Sequence, residues 1–142
     1  MNEPESHDRE FFRAMEMHLE ACHLLLEAGR DAATTSNHMA IYHAGYAVEC
    51  ALKGRYLRIQ KRSHQKRVVA DVFKKRVKHD LDELKRILED ENVFMTPRTR
   101  QRFQVVKSLW SADMRYHPKL VEPPDALDVF RAAEFIARWA EK

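Results

Sequence analysis

Glycine, proline and cysteine are all scarce in this chain, and each scarcity closes off a class of structure. Three glycines and five prolines serve 142 residues, and four of the five prolines fall at Pro97 or later. Few positions are left for tight turns. With Ala, Leu, Glu, Lys, Arg and Met abundant, the profile is that of an all-α protein. The only two cysteines, Cys22 and Cys50, stand in apolar company inside helical stretches. They are expected as buried thiols, not a disulfide. No apolar run approaches the length of a membrane-spanning helix. The first ten residues, MNEPESHDRE, are acidic and polar and hold no apolar signal core. A cytoplasmic setting is the expectation.

Hydrophobic residues make up 44% of the chain, enough for an ordered core in a chain the size of one domain. The fold expected is an up-and-down bundle of four main helices plus a C-terminal fifth, preceded by a frayed tail at residues 1–7. The first helix is read from about residue 8 to 28, on the stripe Phe11, Met15, Leu19, Cys22 and Leu26, with Gly29 ending it. The second starts near Asp31 and runs to about Arg62. Over residues 32–61 it would be about 45 Å long at 1.5 Å per residue. Residues 62–78 read as a basic connection containing a short helix. Asp80 caps a third helix, with Leu81, Leu84 and Leu88 as its seam. Thr96-Pro97 opens a fourth, with Phe103, Val106, Leu109 and Trp110 facing inward, which fades by Met114. Pro123-Pro124 marks a break, and a fifth helix follows over about 125–140 on a stripe beginning Leu127, Phe130.

Charge is unevenly spread. Lys53, Arg55, Arg58, Lys61, Arg62, Lys66, Arg67, Lys74, Lys75, Arg76 and Lys78 face a single acid, Asp71, within one stretch. The remainder of the chain is net acidic. Such a block is a solvated helix end, a footprint for a nucleic-acid backbone, or a docking face for an acidic protein. Its aromatics are few, so base-specific reading is not expected of it.

The second helix carries two stripes. Ile41, Gly45, Val48 and Leu52 are spaced four, three and four and share the core face. Tyr42, Tyr46, Glu49 and Lys53 follow the same spacing on a neighbouring face. Gly45 costs helix propensity and is read as permitting close approach of another helix. Glu49 and Lys53 are either an ion pair at the bundle edge or part of a ligand pocket. His79, just before a helix start, either caps it or faces a phosphate. Arg115-Tyr116-His117 is either a structural anchor or a phosphate- and base-binding group, with His117 the proton-transfer residue if chemistry occurs. His18 and Cys22, four apart, have the spacing of metal ligands but no third ligand, and His38 and His43 do not share a face. No metal or cofactor is expected.

Three signatures stand in order: Ala44-Gly45-Tyr46-Ala47-Val48-Glu49-Cys50-Ala51-Leu52-Lys53, then His79-Asp80-Leu81-x-x-Leu84, then Trp110-x4-Arg115-Tyr116. Together they resemble the HEPN superfamily, the higher eukaryotes and prokaryotes nucleotide-binding domain, over about Phe11 to Ala140. The resemblance implies a four- to five-helix bundle, often a homodimer. It implies a prokaryotic toxin–antitoxin or defence setting beside a small nucleotidyltransferase. It also implies a pocket of Tyr46, Glu49, Lys53, His79, Arg115 and Tyr116 for RNA or a nucleotide. Many members are metal-independent ribonucleases with an Arg-x4-6-His motif near a late helix. A guanidinium there would grip the scissile phosphate and an imidazole would move the ribose proton. In this chain the late histidine, His117, lies two residues after Arg115. The motif spacing occurs at Arg13-x4-His18 and Arg58-x5-His64 instead. The leading expectation is an RNA- or nucleotide-binding module. The alternatives are a metal-independent ribonuclease toxin and a structural protein-interaction subunit.

Overall fold

The apolar spacings resolve into helices in a computed structural model that describes residues 6–142; of the expected tail at residues 1–7, residues 1–5 lie outside the described residues and His7 already opens the first helix. Six α-helices form: α1 (His7–Ala28), α2 (Thr35–Arg58), α3 (Arg62–Arg67), α4 (Leu81–Asp90), α5 (Pro97–Leu109) and α6 (Pro123–Glu141). A π-helix spans Val68–Val77 and a 3₁₀ turn spans Met114–Tyr116. Among the described residues there are no strands, only one antiparallel bridge between Thr34 and Val121. The fold is all-α, as composition implies.

Helix α2 is the axis of the bundle. Fifteen of its 24 residues are buried, so it is enclosed on several sides and not merely amphipathic. It packs most extensively on α1 and next on α6. Small side chains make this possible: Ala40, Ala44, Ala47 and Ala51 of α2 are fully buried, as are Ala132, Ala133 and Ala137 of α6. Cys22 and Cys50 are both buried and free. Burial pushes each thiol up to about 12.

Helix α2 is shorter than expected at both ends. It starts at Thr35 because Thr34 caps it, accepting from the Asn37 amide at 3.1 Å. It stops at Arg58 because the chain reverses at Ile59–Lys61, and buried Gln65 pins that reversal. The Gln65 Nε2 donates to the Leu57 carbonyl at 3.1 Å, and its Oε1 accepts from the His7 amide at 3.0 Å. The basic segment is therefore no extension of α2.

Nor is it a loop. Residues 62–77 are helical throughout, α3 running directly into the π-helix. An i→i+5 ladder puts residues about four to five apart on one face. Val68, Phe73 and Val77 are separated by five and four, and Phe73 and Val77 are buried. The Phe73 ring meets Phe11 edge-on at 5.6 Å.

Two further departures concern the late helices. Helix α5 ends at Leu109, not Met114, because Trp110 is extended (φ −108, ψ 139). Leu109 consequently turns outward, with 45% of its surface exposed. Pro123 and Pro124 fall inside the first turn of α6, where a missing N–H costs nothing. The buried face of α6 is Ala126, Val129, Ala133, Ile136, Ala137 and Ala140, and Leu127 lies at the rim.

Candidate functional site

The polar stripe of α2 is closed off from below by a buried ion pair. The Lys53 Nζ donates to Glu49 Oε2 at 3.0 Å and to the Lys78 carbonyl at 2.9 Å. The other carboxylate oxygen, Oε1, meets His79 Nδ1 at 2.9 Å. The side chains of Glu49 and Lys53 are only 5% and 9% exposed, whereas that of His79 is 52% exposed. The remaining side of the ammonium lies 5.4 Å from the Phe73 ring centre. A buried pair is tolerated only when its lone pairs and protons are satisfied, and here they are. Lys78 adopts φ 53, a left-handed turn that directs its carbonyl inward at the end of the π-helix. One buried lysine thus fastens α2 to the basic segment, and one glutamate fastens α2 to the start of α4.

Above this pair lies an aromatic strip. Gly45 makes room for it: a Cβ there would sit 2.0 Å from Trp110 Cδ1. The close approach expected at Gly45 is real, but the partner is the indole ring at the end of α5. The Trp110 Nε1–H donates to the Tyr42 carbonyl at 3.0 Å. The Tyr46 ring contacts Trp110 edge-on at 5.5 Å, His79 at 5.6 Å and Tyr42 at 4.8 Å. Burial, then the neighbouring Tyr42, pushes the Tyr46 hydroxyl up to about 12, so it stays protonated at neutral pH. Arg115 joins the strip from the 3₁₀ turn. Its guanidinium donates to the Tyr42 hydroxyl at 3.4 Å and to the Tyr116 hydroxyl, and it lies 4.6 Å from the Tyr116 ring centre. Tyr116 is 64% exposed.

The structure therefore brings Tyr46, Glu49, Lys53 and His79 into one group and links Arg115 and Tyr116 to it through Tyr42. It does not bring His117 there. His117 lines a separate cavity with His38, Ile41 and Met114. Of the other motif-spaced residues, His18 borders this group and Arg58 lies away from it. His18 Nδ1 lies 3.0 Å from His43 Nδ1, and its ring stacks on Tyr46 at 5.6 Å. Arg58 lies 4.5 Å from the Phe12 ring centre. The His18–His43 contact between α1 and α2 was not foreseen; the only signal was that each flanks its helix's apolar stripe. Burial, then for His18 the neighbouring imidazole, lowers both below the usual histidine value. Among the described residues no group of three or more His, Cys, Asp or Glu is placed to hold a metal.

The basic segment forms an ordered outer surface. Arg58, Lys61, Arg62, Lys66, Arg67, Lys74, Lys75, Arg76 and Lys78 are exposed, while Arg55 is half-buried. Arg67 and Lys75 both approach Asp71, at 3.9 and 3.3 Å, and Arg76 approaches Glu83 at 3.4 Å. The ammonium groups of Lys61, Lys66, Lys74 and Lys78 carry no ion pair among the described residues. Compared with known proteins, the chain matches no family model, no curated protein and no solved structure.

Proposed function

We propose that this chain is a HEPN-like module that binds RNA or a nucleotide through phosphate contacts. It acts as a homodimer with a nucleotidyltransferase-type partner in a prokaryotic toxin–antitoxin or defence setting. The observation that carries the reading is the helical basic arm. Residues 62–77 pack their apolar side on the core and turn unpaired lysines outward, so the cations are held in place before any ligand arrives. Exposed Tyr116, backed by Arg115, supplies a ring on which a base can stack. The geometry favours binding over cleavage. A ribonuclease needs an arginine and an imidazole on one phosphate, and Arg115 is held by Tyr42 and Tyr116 while His117 faces another cavity.

The test is a salt titration of affinity for single-stranded RNA, read by fluorescence anisotropy. Log affinity should fall linearly with log salt. Replacing Lys61, Lys66, Lys74 and Lys78 by Gln should weaken binding and reduce the slope by about 3, at about 0.7 per phosphate contact. No affinity at low salt, or an unchanged slope in the variant, overturns the reading. RNA cleavage in chelator that is lost on His117→Ala would put the ribonuclease in its place.

A further inference from the structure

Asn37, in the first turn of α2, is 0% exposed, and its Oδ1 meets no donor among the described residues. The other end of the amide is fully used. Its Nδ2 lies 2.9 Å from the Gly29 carbonyl, 3.0 Å from that of Ala32 and 2.9 Å from that of Val121. Three acceptors around one end of the amide fix that end as nitrogen and the other as oxygen. A buried acceptor without a donor is costly, and a group that supplies one relieves it.

Asn37 also lines a cavity of about 670 Å³ between the last turns of α1 and the first half of α6. That volume is within the range of small-ligand sites, about 300–1,000 Å³. Gly29, Ala32 and Val121 are not on its wall, so the nitrogen end of the Asn37 amide is turned away from the cavity and the oxygen end faces it. Beside that oxygen the wall is apolar: Leu26, Pro123, Pro124, Leu127 and Phe130. The His23 ring extends it, 6.1 Å from the Phe130 ring. The charges on the wall nearly cancel. Glu27, Asp128 and Glu134 stand against Arg30 and Arg131, a formal −1 with His23 neutral and zero with it protonated. Arg30 already approaches Glu27 at 3.8 Å. The negative end of α1 and the positive end of α6 meet here and offset each other.

We infer that this cavity binds an uncharged heteroaromatic molecule bearing an N–H, its ring against Leu26, Pro123, Leu127 and Phe130 and its N–H donating to Asn37 Oδ1. The near balance of charge favours neither an anion nor a cation, while the apolar wall favours a ring. The inference is separate from RNA binding, since none of these residues lies on the basic arm.

The experiment uses the full chain and two uncharged probes of one shape, indole and benzofuran, which differ in the N–H. The methyl resonances of Leu26 and Leu127 and the side-chain amide resonances of Asn37 are followed by NMR during titration. Indole should shift all of them saturably. It should bind about tenfold more tightly than benzofuran, which leaves Oδ1 without a donor. Asn37 itself is left intact, because its Nδ2 ties three carbonyls together. Leu127→Gln changes the wall at a position 36% exposed, where the fold is kept, and should weaken indole several-fold as read at Leu26. Absence of saturable shifts overturns the inference. So do methyl shifts without a shift of the Asn37 amide, equal affinity for the two probes, and indole binding unaltered by Leu127→Gln.

Discussion

Replacing Lys53 by Met removes one charge from the buried pair and keeps the length and apolar stem of the side chain. Two hydrogen bonds go, to Glu49 at 3.0 Å and to the Lys78 carbonyl at 2.9 Å. The Lys78 carbonyl lies beside exposed chain and can be hydrated. The Glu49 carboxylate cannot, because the residue is 4% exposed. Removing one member of a buried pair costs about 3–5 kcal/mol, mostly from the charge left behind. His79 still reaches Glu49 at 2.9 Å, so the lower end, about 3 kcal/mol, applies here. At about 2.1 cal/mol/K of unfolding entropy per residue, that loss lowers Tm by roughly 10 °C. Urea unfolding followed by circular dichroism measures it, with an unchanged m-value marking a change in stability alone. The paired change Glu49→Leu with Lys53→Met removes both charges and should recover all but about 1 kcal/mol. A cost under about 1 kcal/mol for the single variant, or no recovery in the double, would refute the argument that an uncompensated buried charge is the cause.

Gly45→Ala gains about 1 kcal/mol of helix propensity but drives a methyl into the Trp110 ring, which the Tyr42 carbonyl holds in place. Overpacking of about 1–3 kcal/mol plus the strained indole bond outweighs the gain, so denaturant unfolding should show a net loss. Gly54→Ala meets only the Phe12 ring edge at 3.0 Å and should be nearer neutral; a stabilised Gly45→Ala would sink the close-packing account. The His18–His43 pair gives a pH dependence of known sign. Both folded-state values lie below the unfolded 6.5, so between them the unfolded chain binds more protons. Stability should therefore fall as pH drops below about 6.5, and His43→Gln should flatten that fall in thermal melts from pH 7.5 to 5. A slope unchanged by the substitution removes this pair as its source.

Local rules were legible where the decisive partner lies within a few residues. Thr96 and Asp80 cap α5 and α4 by accepting from Thr99 and Glu83, as their positions imply. The Glu49–Lys53 pair follows from its i, i+4 spacing, whereas its link to His79 was suggested only by the resemblance. Long-range partners were not legible. Nothing near Gln65 in sequence announces that it will bridge His7 and Leu57, yet that bridge turns the chain and shortens α2. Nothing in the spacing of His18 and His43 announces their contact across two helices. The π-helix is an intermediate case. Its five-then-four apolar spacing was present, but it resembles irregular sequence to any reading that allows only the α and β periods.

That same segment shows why composition misjudges a charged surface. Eleven cations in the stretch from Lys53 to Lys78 imply a slope of about −8 against log salt if each met a phosphate of single-stranded RNA. The fold withdraws some of them. Lys53 is consumed inside, holding the end of the π-helix. Arg55 is half-buried with its Nε unpartnered, and Arg67, Lys75 and Arg76 have carboxylate neighbours. Six are left, and the four lysines among them that carry no ion pair give a slope of about −3 by themselves. The surface is weaker than the count, but it is ordered, and Lys53 is part of the reason. One member of the basic run gives up its exposure so that others are presented on a fixed helix.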